Sequence, residues 1–283
     1  MNKSFKNLEV LEFYKELPFN IYDNENDAIV NIKKNDPTKI YPPLKEIFET
    51  NKNINILDVG CGAGWFVNSI SYFQKNINVT GVDFNPVALT FAKKIKEKLK
   101  LNSNFIEKDL FTINFKKQFF LISSLGVLHH TNNCHEAIKV LLQQESKYVL
   151  IGLYHKYGRK AFLDHFQNLK ENFLKTKKKN FEQELFEEYK KLDKRSQNET
   201  HLKSWFKDQV LHPYETQHTF EELISIFDEN KYKIYSTSLN RFSNFKSYNE
   251  IINVEKDWYQ YGKDQLIKNH YFPGFFIILA KKM

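Results

Sequence analysis

Residues 54–65, Ile-Asn-Ile-Leu-Asp-Val-Gly-Cys-Gly-Ala-Gly-Trp, constrain the fold of this chain more than any other stretch. A short apolar run ends in Asp58, and glycines follow at every second position, Gly60, Gly62 and Gly64. Such a run, bounded by turn residues, reads as a buried strand. Glycine has no Cβ, so the backbone after it can turn sharply and come close to a ligand. A helix is expected to begin near Trp65. Strand, glycine turn and helix together suit a nucleotide-type cofactor held at a helix N-terminus. The spacing is D-x-G-x-G-x-G and not the G-x-G-x-x-G of dinucleotide sites. An acid just before the turn repels a pyrophosphate and suits a cationic amino-acid group.

Later segments fit the same kind of site. Asn78 to Asp83 reads as a second strand whose terminal carboxylate can accept from both hydroxyls of a ribose. Phe84 is a candidate adenine platform. Asn85 and Pro86 supply an N-cap and a first-turn proline for a helix over Val87 to Lys98. Asn104 to Leu110 reads as a third strand, with Asp109 placed to accept from an adenine amino group. Phe119 to Thr131 is a fourth strand running into a polar turn, and Tyr148 to Leu153 a fifth.

In this order the segments resemble the class I S-adenosylmethionine-dependent methyltransferases, over about residues 54–153, with Phe275 to Ala280 as a last strand. The resemblance implies an α/β fold: a seven-stranded, mostly parallel, doubly wound sheet. It implies S-adenosylmethionine as cofactor and S-adenosylhomocysteine as product. The cofactor residues it points to are Asp58, Gly60, Cys61, Gly62, Gly64, Asp83, Phe84, Asp109, Leu110 and Leu125. One departure is local: many relatives carry a Pro-Gly-Gly turn before the fifth strand, where this chain has Leu142 to Lys147.

The flanking sequence divides around that core. Residues 1–50 form an N-terminal segment with turns at Leu17 to Asn20 and Tyr41 to Leu44, expected to close one side of the site. Residues 51–153 are the cofactor-binding core. Residues 154–218 are too long for an ordinary loop. Phe162, His165, Phe166 and Leu169, then Leu185, Phe186 and Tyr189, recur at helical spacing, so this is a helical insertion after the fifth strand, expected to act as a lid. Residues 219–283 complete the sheet: Thr219 and Glu222 form a capping-box pattern for a helix to about Asn230, and Tyr232 to Leu239 reads as the sixth strand.

The formal charge of +8 raises the question of a nucleic-acid partner. Only Arg159, Arg195 and Arg241 are arginines among 42 basic residues, so the charge is carried by scattered lysines, including Lys175 to Lys179. A groove for RNA more often uses the planar fork of arginine. Two cysteines, Cys61 and Cys134, give neither a disulfide framework nor a zinc spacing. Met1 to Val10 lacks the apolar stretch of a signal peptide, and no segment approaches the roughly 18 apolar residues of a membrane span. The expectation is a cytoplasmic protein without a membrane partner, monomeric or a homodimer.

Methyl transfer needs an acceptor held in line and, for OH or NH nucleophiles, a base. His130 and His129, at the end of the fourth strand, are the candidate bases, against a packing role for both. Tyr154, His155, Tyr157 and Arg159 leave the fifth strand at the same rim; Arg159 suits an anionic acceptor group or a structural ion pair. Trp205, Asp208, His212, Tyr214 and Glu215 lie in the dense segment ending the insertion and are read as acceptor wall. His212, Glu215 and His218 step by three, but Pro213 interrupts them and no metal motif accompanies them, so no metal is assigned. Trp258, Tyr259, Tyr261, Tyr271 and Phe272 either complete the wall or belong to the core. Three readings stay open: a methyltransferase acting on a small molecule, anionic or sugar-like; an RNA or protein methyltransferase docking through the insertion; and a non-catalytic cofactor-binding subunit.

Overall fold

A computed structural model describes residues 8–175 and 180–283; residues 1–7 and all but Lys175 of the Lys175 to Lys179 run lie outside them. Seven strands, β1 (Asn55–Val59), β2 (Asn78–Asp83), β3 (Ser103–Glu107), β4 (Phe119–Leu125), β5 (Ser146–Tyr154), β6 (Tyr232–Thr237) and β7 (Phe275–Lys282), form one sheet. Their order is β3-β2-β1-β4-β5-β7-β6. All pairings are parallel except those of β7, which runs antiparallel to both β5 and β6. The α/β, mostly parallel sheet read from the sequence is therefore present. Strand order reverses between β1 and β4, and in such sheets a crevice opens there beyond the carboxyl ends of the strands.

Both faces of the sheet are covered, which is why the central strands are nearly continuous apolar runs. Leu57 and Val59 of β1 join one core with α7 (Cys134–Gln143), α11 (Phe220–Glu229) and Ile251 of α12 (Tyr248–Lys256). Ile56, pointing the other way, joins a second core with α4 (Pro43–Thr50), α5 (Trp65–Phe73) and Leu89 of α6 (Pro86–Leu99). The N-terminal segment adds α1 (Leu8–Glu16), α2 (Glu25–Lys34) and α3 (Pro37–Ile40).

The insertion is helical: α8 (Lys156–Lys175), α9 (Phe181–Leu192) and α10 (Glu199–Val210) share a separate core around Phe162, Phe166, Leu185, Tyr189 and Phe206. Two strands end earlier than their sequence suggests, each at a side-chain cap. Asp109 Oδ1 accepts from Phe111 N at 2.9 Å and opens a 3-10 turn, Leu110–Thr112. Thr237 Oγ1 accepts from Leu239 N at 3.3 Å and does the same for Ser238–Asn240. Helices α12 and α13 (Trp258–Ile267), between β6 and β7, have no counterpart in the sequence reading.

Candidate active site

The glycine turn is anchored before it meets anything else. Gly60 N and Cys61 N both donate to Val82 O of β2, at 2.7 and 3.0 Å. Gly60 has φ +75°, and a Cβ there would stand 2.4 Å from a Val127 methyl. Gly62 has φ +51°, but its missing Cβ opens onto free space, with Phe19 O nearest at 3.9 Å. Asp83 holds the turn in place: its Oδ2 accepts from Gly62 N at 2.7 Å and its Oδ1 from Asn85 N at 2.8 Å. Asn85 caps α6 through Val87 N at 3.0 Å and donates to Tyr14 O of α1 at 2.9 Å, closing the N-terminal segment onto the site.

Asp58 is buried at 3 % exposure and accepts from Ser123 Oγ at 2.7 Å. Burial pushes its pKa up to about 7, with Ser123 opposing and Asp83 adding to the rise. No cationic side chain is paired with it among the described residues. A buried acid without a cation, beside a cavity, fits a ligand that brings its own positive charge.

The cavity beside this turn measures about 650 Å³, within the range of small-molecule sites. Asp58, Gly60, Cys61, Gly62, Asp83 and Phe84 line one end, together with Asp109, Leu110 and Leu125. At the other end stand His130, Tyr154, Trp205 and Asp208 from the sequence-derived set. Tyr14, Arg195 and Tyr271 also line it; the sequence reading passes over the first two as site residues. Arg195 gives Nε and Nη2 to Asp193 at 2.8 and 2.7 Å, with its guanidinium 4.3 Å from the Trp205 ring and 3.9 Å from that of Tyr271.

Asp208 is the hub of this second end. Its Oδ1 accepts from Tyr14 OH, and its Oδ2 accepts from Tyr154 OH at 3.2 Å. Burial raises its pKa to about 6. His130 Nδ1 lies 3.1 Å from Tyr214 O, which can only accept, so Nδ1 carries the hydrogen in the neutral ring. Nε2 then has a bare lone pair, 3.5 Å from Asp208 Oδ1 and without a hydrogen-bond partner. Burial holds the His130 pKa down at about 4.

Other candidates stand behind this wall, outside the cavity lining. Gly64 faces away, against Ala92 of α6. His129 is fully buried, its ring 4.3 Å from those of His130 and Tyr154. His212 lays its ring 3.8 Å from that of His130, and its Nδ1 accepts from Tyr214 N at 3.0 Å. Tyr214 is 39 % exposed on the outer side. His155 Nε2 meets Glu255 Oε2 at 2.7 Å, and Glu255 also accepts from Phe220 N, capping α11; Tyr157 sits beside His155 on α8.

Arg159 is fully buried and its fork is occupied inside the chain. Nε and Nη2 donate to Glu215 at 2.8 and 2.6 Å, Nη2 also to Gln209 O at 2.7 Å, and Nη1 to Pro273 O at 3.3 Å. Its guanidinium lies 3.8 Å from the centre of the Tyr154 ring. Of the two alternatives for Arg159, this geometry is that of the structural ion pair with Glu215. The three-residue stepping of His212, Glu215 and His218 does not gather them. His218 instead lies 2.5 Å from Glu222 and near His135, a group whose ligand atoms fall within 4.8 Å of one another.

The sequence pattern of the methyltransferase domain family matches residues 50–209, from the last residue of α4 into the last turn of α10. The chain belongs to this family. It is 24 % identical over 188 residues to a malonyl-[acyl-carrier protein] O-methyltransferase of Bacillus cereus, covering 66 % of this chain and 62 % of that one. It is 33 % identical over 93 residues to a tRNA (guanine-N(7)-)-methyltransferase of Prochlorococcus marinus, 32 % of this chain and 38 % of the relative. Both matches span less than two thirds of the relative's length. The magnesium protoporphyrin IX methyltransferase of Synechocystis, solved with bound S-adenosylhomocysteine, shares the fold at TM-score 0.54 and 14 % identity, over 98 % of this chain and 100 % of that one. Among the described residues no helix is long and apolar enough to cross a membrane.

Proposed function

We propose that this chain is an S-adenosylmethionine-dependent methyltransferase acting on a small molecule, bound in the same cavity as the cofactor and roofed by residues 154–218. The observation that carries this reading is the continuity of one cavity of about 650 Å³ between the glycine turn and Asp208, with lid residues Arg195, Trp205 and Asp208 on its wall. S-adenosylmethionine supplies a methyl group on a sulfonium centre and leaves as S-adenosylhomocysteine. The chain's own groups then have separable tasks. Asp83 ties the glycine turn, through Gly62 N, to the cap of α6, through Asn85 N, and keeps lone pairs for a ribose; Asp58 answers a cation; Gly62 leaves the space its Cβ would fill. Asp109 and Phe84 border the region assigned to the adenine. At the far end, enclosure excludes water, and His130 presents a base to the acceptor. Arg159 is not a contact of the acceptor in this reading; it fixes Tyr154 and the end of α10.

Two measurements test this. Calorimetry should show S-adenosylmethionine and S-adenosylhomocysteine binding to the wild type and lost in Asp83→Ala. Incubation of the protein with methyl-tritiated S-adenosylmethionine and cell extract should place the label in the low-molecular-weight fraction; label confined to RNA or protein would refute a small acceptor.

A further inference from the structure

Arg195 stands between α9 and α10 on the wall of the cavity, and only part of its guanidinium is used inside the chain. Asp193 takes one edge of the fork, Nε and Nη2, at 2.8 and 2.7 Å. The same carboxylate accepts from Arg195 N at 3.1 Å and from Tyr189 OH at 3.0 Å, so it is committed to holding this side chain. A guanidinium has five N–H groups. Two go to Asp193; those of the outer edge, on Nη1 and the second on Nη2, meet no acceptor among the described residues. Both faces are taken as well, by the rings of Trp205 and Tyr271 at 4.3 and 3.9 Å. The rings are fixed in turn. Trp205 Nε1 donates to Asn20 Oδ1 at 3.3 Å, and Tyr271 OH to Gln209 Oε1 at 2.7 Å. A fork held on one edge and both faces, 49 % exposed and lining a cavity, is preorganised on its remaining edge for an oxyanion.

We propose that the outer edge of Arg195 is an anion-binding site that anchors a carboxylate or phosphate of the methyl acceptor, at a position other than the one methylated, and so lets the insertion select acceptors. This rests on the small-molecule reading above. An anionic acceptor, read from the sequence as one use of Arg159, finds its free fork at Arg195 instead. Two parallel charge-assisted N–H···O bonds fix the orientation of such a group as well as its place. A neutral analogue would leave the outer N–H groups without a partner once water is displaced. The cofactor carries a carboxylate of its own, on the same carbon as the amino group that Asp58 answers. The side chains that shift Asp58 are Ser123 and Asp83, and Arg195 is not one of them. The fork is therefore left to the acceptor.

The test uses the full chain, methyl-tritiated S-adenosylmethionine and the low-molecular-weight fraction of cell extract. The labelled product, identified by mass spectrometry, should carry a free carboxylate or phosphate; a product with neither would overturn the proposal. Arg195→Gln should raise the amount of extract needed for half-maximal labelling at least about tenfold, the scale of hydrogen bonds to charged groups, with the maximum little changed. Its S-adenosylhomocysteine affinity by calorimetry should stay within about twofold of wild type. Arg195→Lys, which keeps the charge beside Asp193 but loses the fork, should fall between the two. Unchanged half-saturation in both variants would overturn the proposal. So would a loss of S-adenosylhomocysteine affinity not shared by 5′-methylthioadenosine, which lacks the cofactor's carboxylate, because the edge would then serve the cofactor. A loss shared by both ligands in Arg195→Gln would mark a disturbed wall, and half-saturation in Arg195→Lys then decides. Label found only in RNA or protein would instead strike the small-molecule reading itself.

Discussion

Arg159→Ala should be among the most damaging single changes available in this chain, although Arg159 does not itself line the cavity. The side chain is fully buried and Glu215 is 11 % exposed, so the pair is shielded from water on nearly every side. Removing the guanidinium deletes four hydrogen bonds and the cation under Tyr154, and leaves Glu215 charged and buried without its partner. Breaking a buried pair from one side costs about 3–5 kcal/mol. Urea denaturation at pH 7 should show that loss as a lower midpoint with an unchanged slope. Replacing both partners, Arg159→Met with Glu215→Leu, removes the uncompensated charge and should recover most of the loss. The pH dependence carries a sign of its own. Burial pushes the Glu215 carboxyl up, but Arg159 more than reverses this, and its pKa lies below the ordinary 4.5. In the wild type this group therefore contributes stability at neutral pH that disappears as pH falls through the lowered value. Without Arg159 the upward push of burial is opposed only by His130 and by the Gln217 amide, which donates to Oε1 at 2.8 Å, so the variant is penalised at pH 7 and relieved on acidification. The gap between variant and wild type should narrow from pH 7 to pH 5. A cost below about 1 kcal/mol, or a double variant weaker than the single one, would refute the assignment of Arg159 as a buried structural pair.

Gly60→Ala and Gly62→Ala should separate packing from ligand approach. Both place a Cβ at positive φ, a cost of roughly 1–2 kcal/mol, but only at position 60 does that atom collide with Val127. Gly60→Ala should melt lower than Gly62→Ala, whereas Gly62→Ala should weaken S-adenosylmethionine binding by at least about tenfold, about 1.4 kcal/mol by calorimetry; normal affinity in Gly62→Ala would exclude close approach there. Asp58, raised to about 7 by burial, must ionise to meet a cationic ligand. Wild-type affinity should fall below pH 7 by up to about tenfold per unit, and Asp58→Asn should bind more weakly with a flat profile from pH 6 to 8. A pH-independent wild type would separate Asp58 from the ligand's charge.

The cofactor end was legible in the sequence because its parts are local. Asp58 precedes Gly60 and Gly62 on one turn, and Asp83 closes β2 next to the cap formed by Asn85, so strand periodicity and turn chemistry place them without knowledge of the rest. The acceptor end has no such locality. Tyr14 and Asp208 are bonded across 194 positions, and Tyr154 reaches Asp208 across 54. Nothing in the sequence of α1 marks Tyr14 as facing α10, and aromatics are so frequent in this chain that one more carries little information. The two arginines show the same limit. Rarity marks Arg159 as an anion binder or a structural ion pair without deciding between them; its side chain is fully enclosed against Glu215, while Arg195, 49 % exposed, lines the cavity. Spacing says what a fork can bind; only packing says what it meets.

That division has a consequence for how the enzyme is specified. The cofactor end is built from β1, β2 and the turns at their ends, inside the covered sheet. The acceptor end is assembled from four separate segments: Tyr14 on α1, His130 after β4, Tyr154 at the end of β5 and Asp208 on α10. The helical insertion has its own core, centred on Phe162, Tyr189 and Phe206, apart from both cores of the sheet. Changes inside α9 and α10 can therefore reshape the wall around Trp205 and Arg195 without moving Gly60, Gly62 or Asp83. Additivity supports this for sites without shared partners. Arg159 is an exception, as Asp208 is through Tyr14 and Tyr154, because it ties Gln209 of the insertion to Glu215 and stacks on Tyr154 of the sheet. It joins the sheet that carries the glycine turn to the helical insertion that carries Trp205 and Asp208.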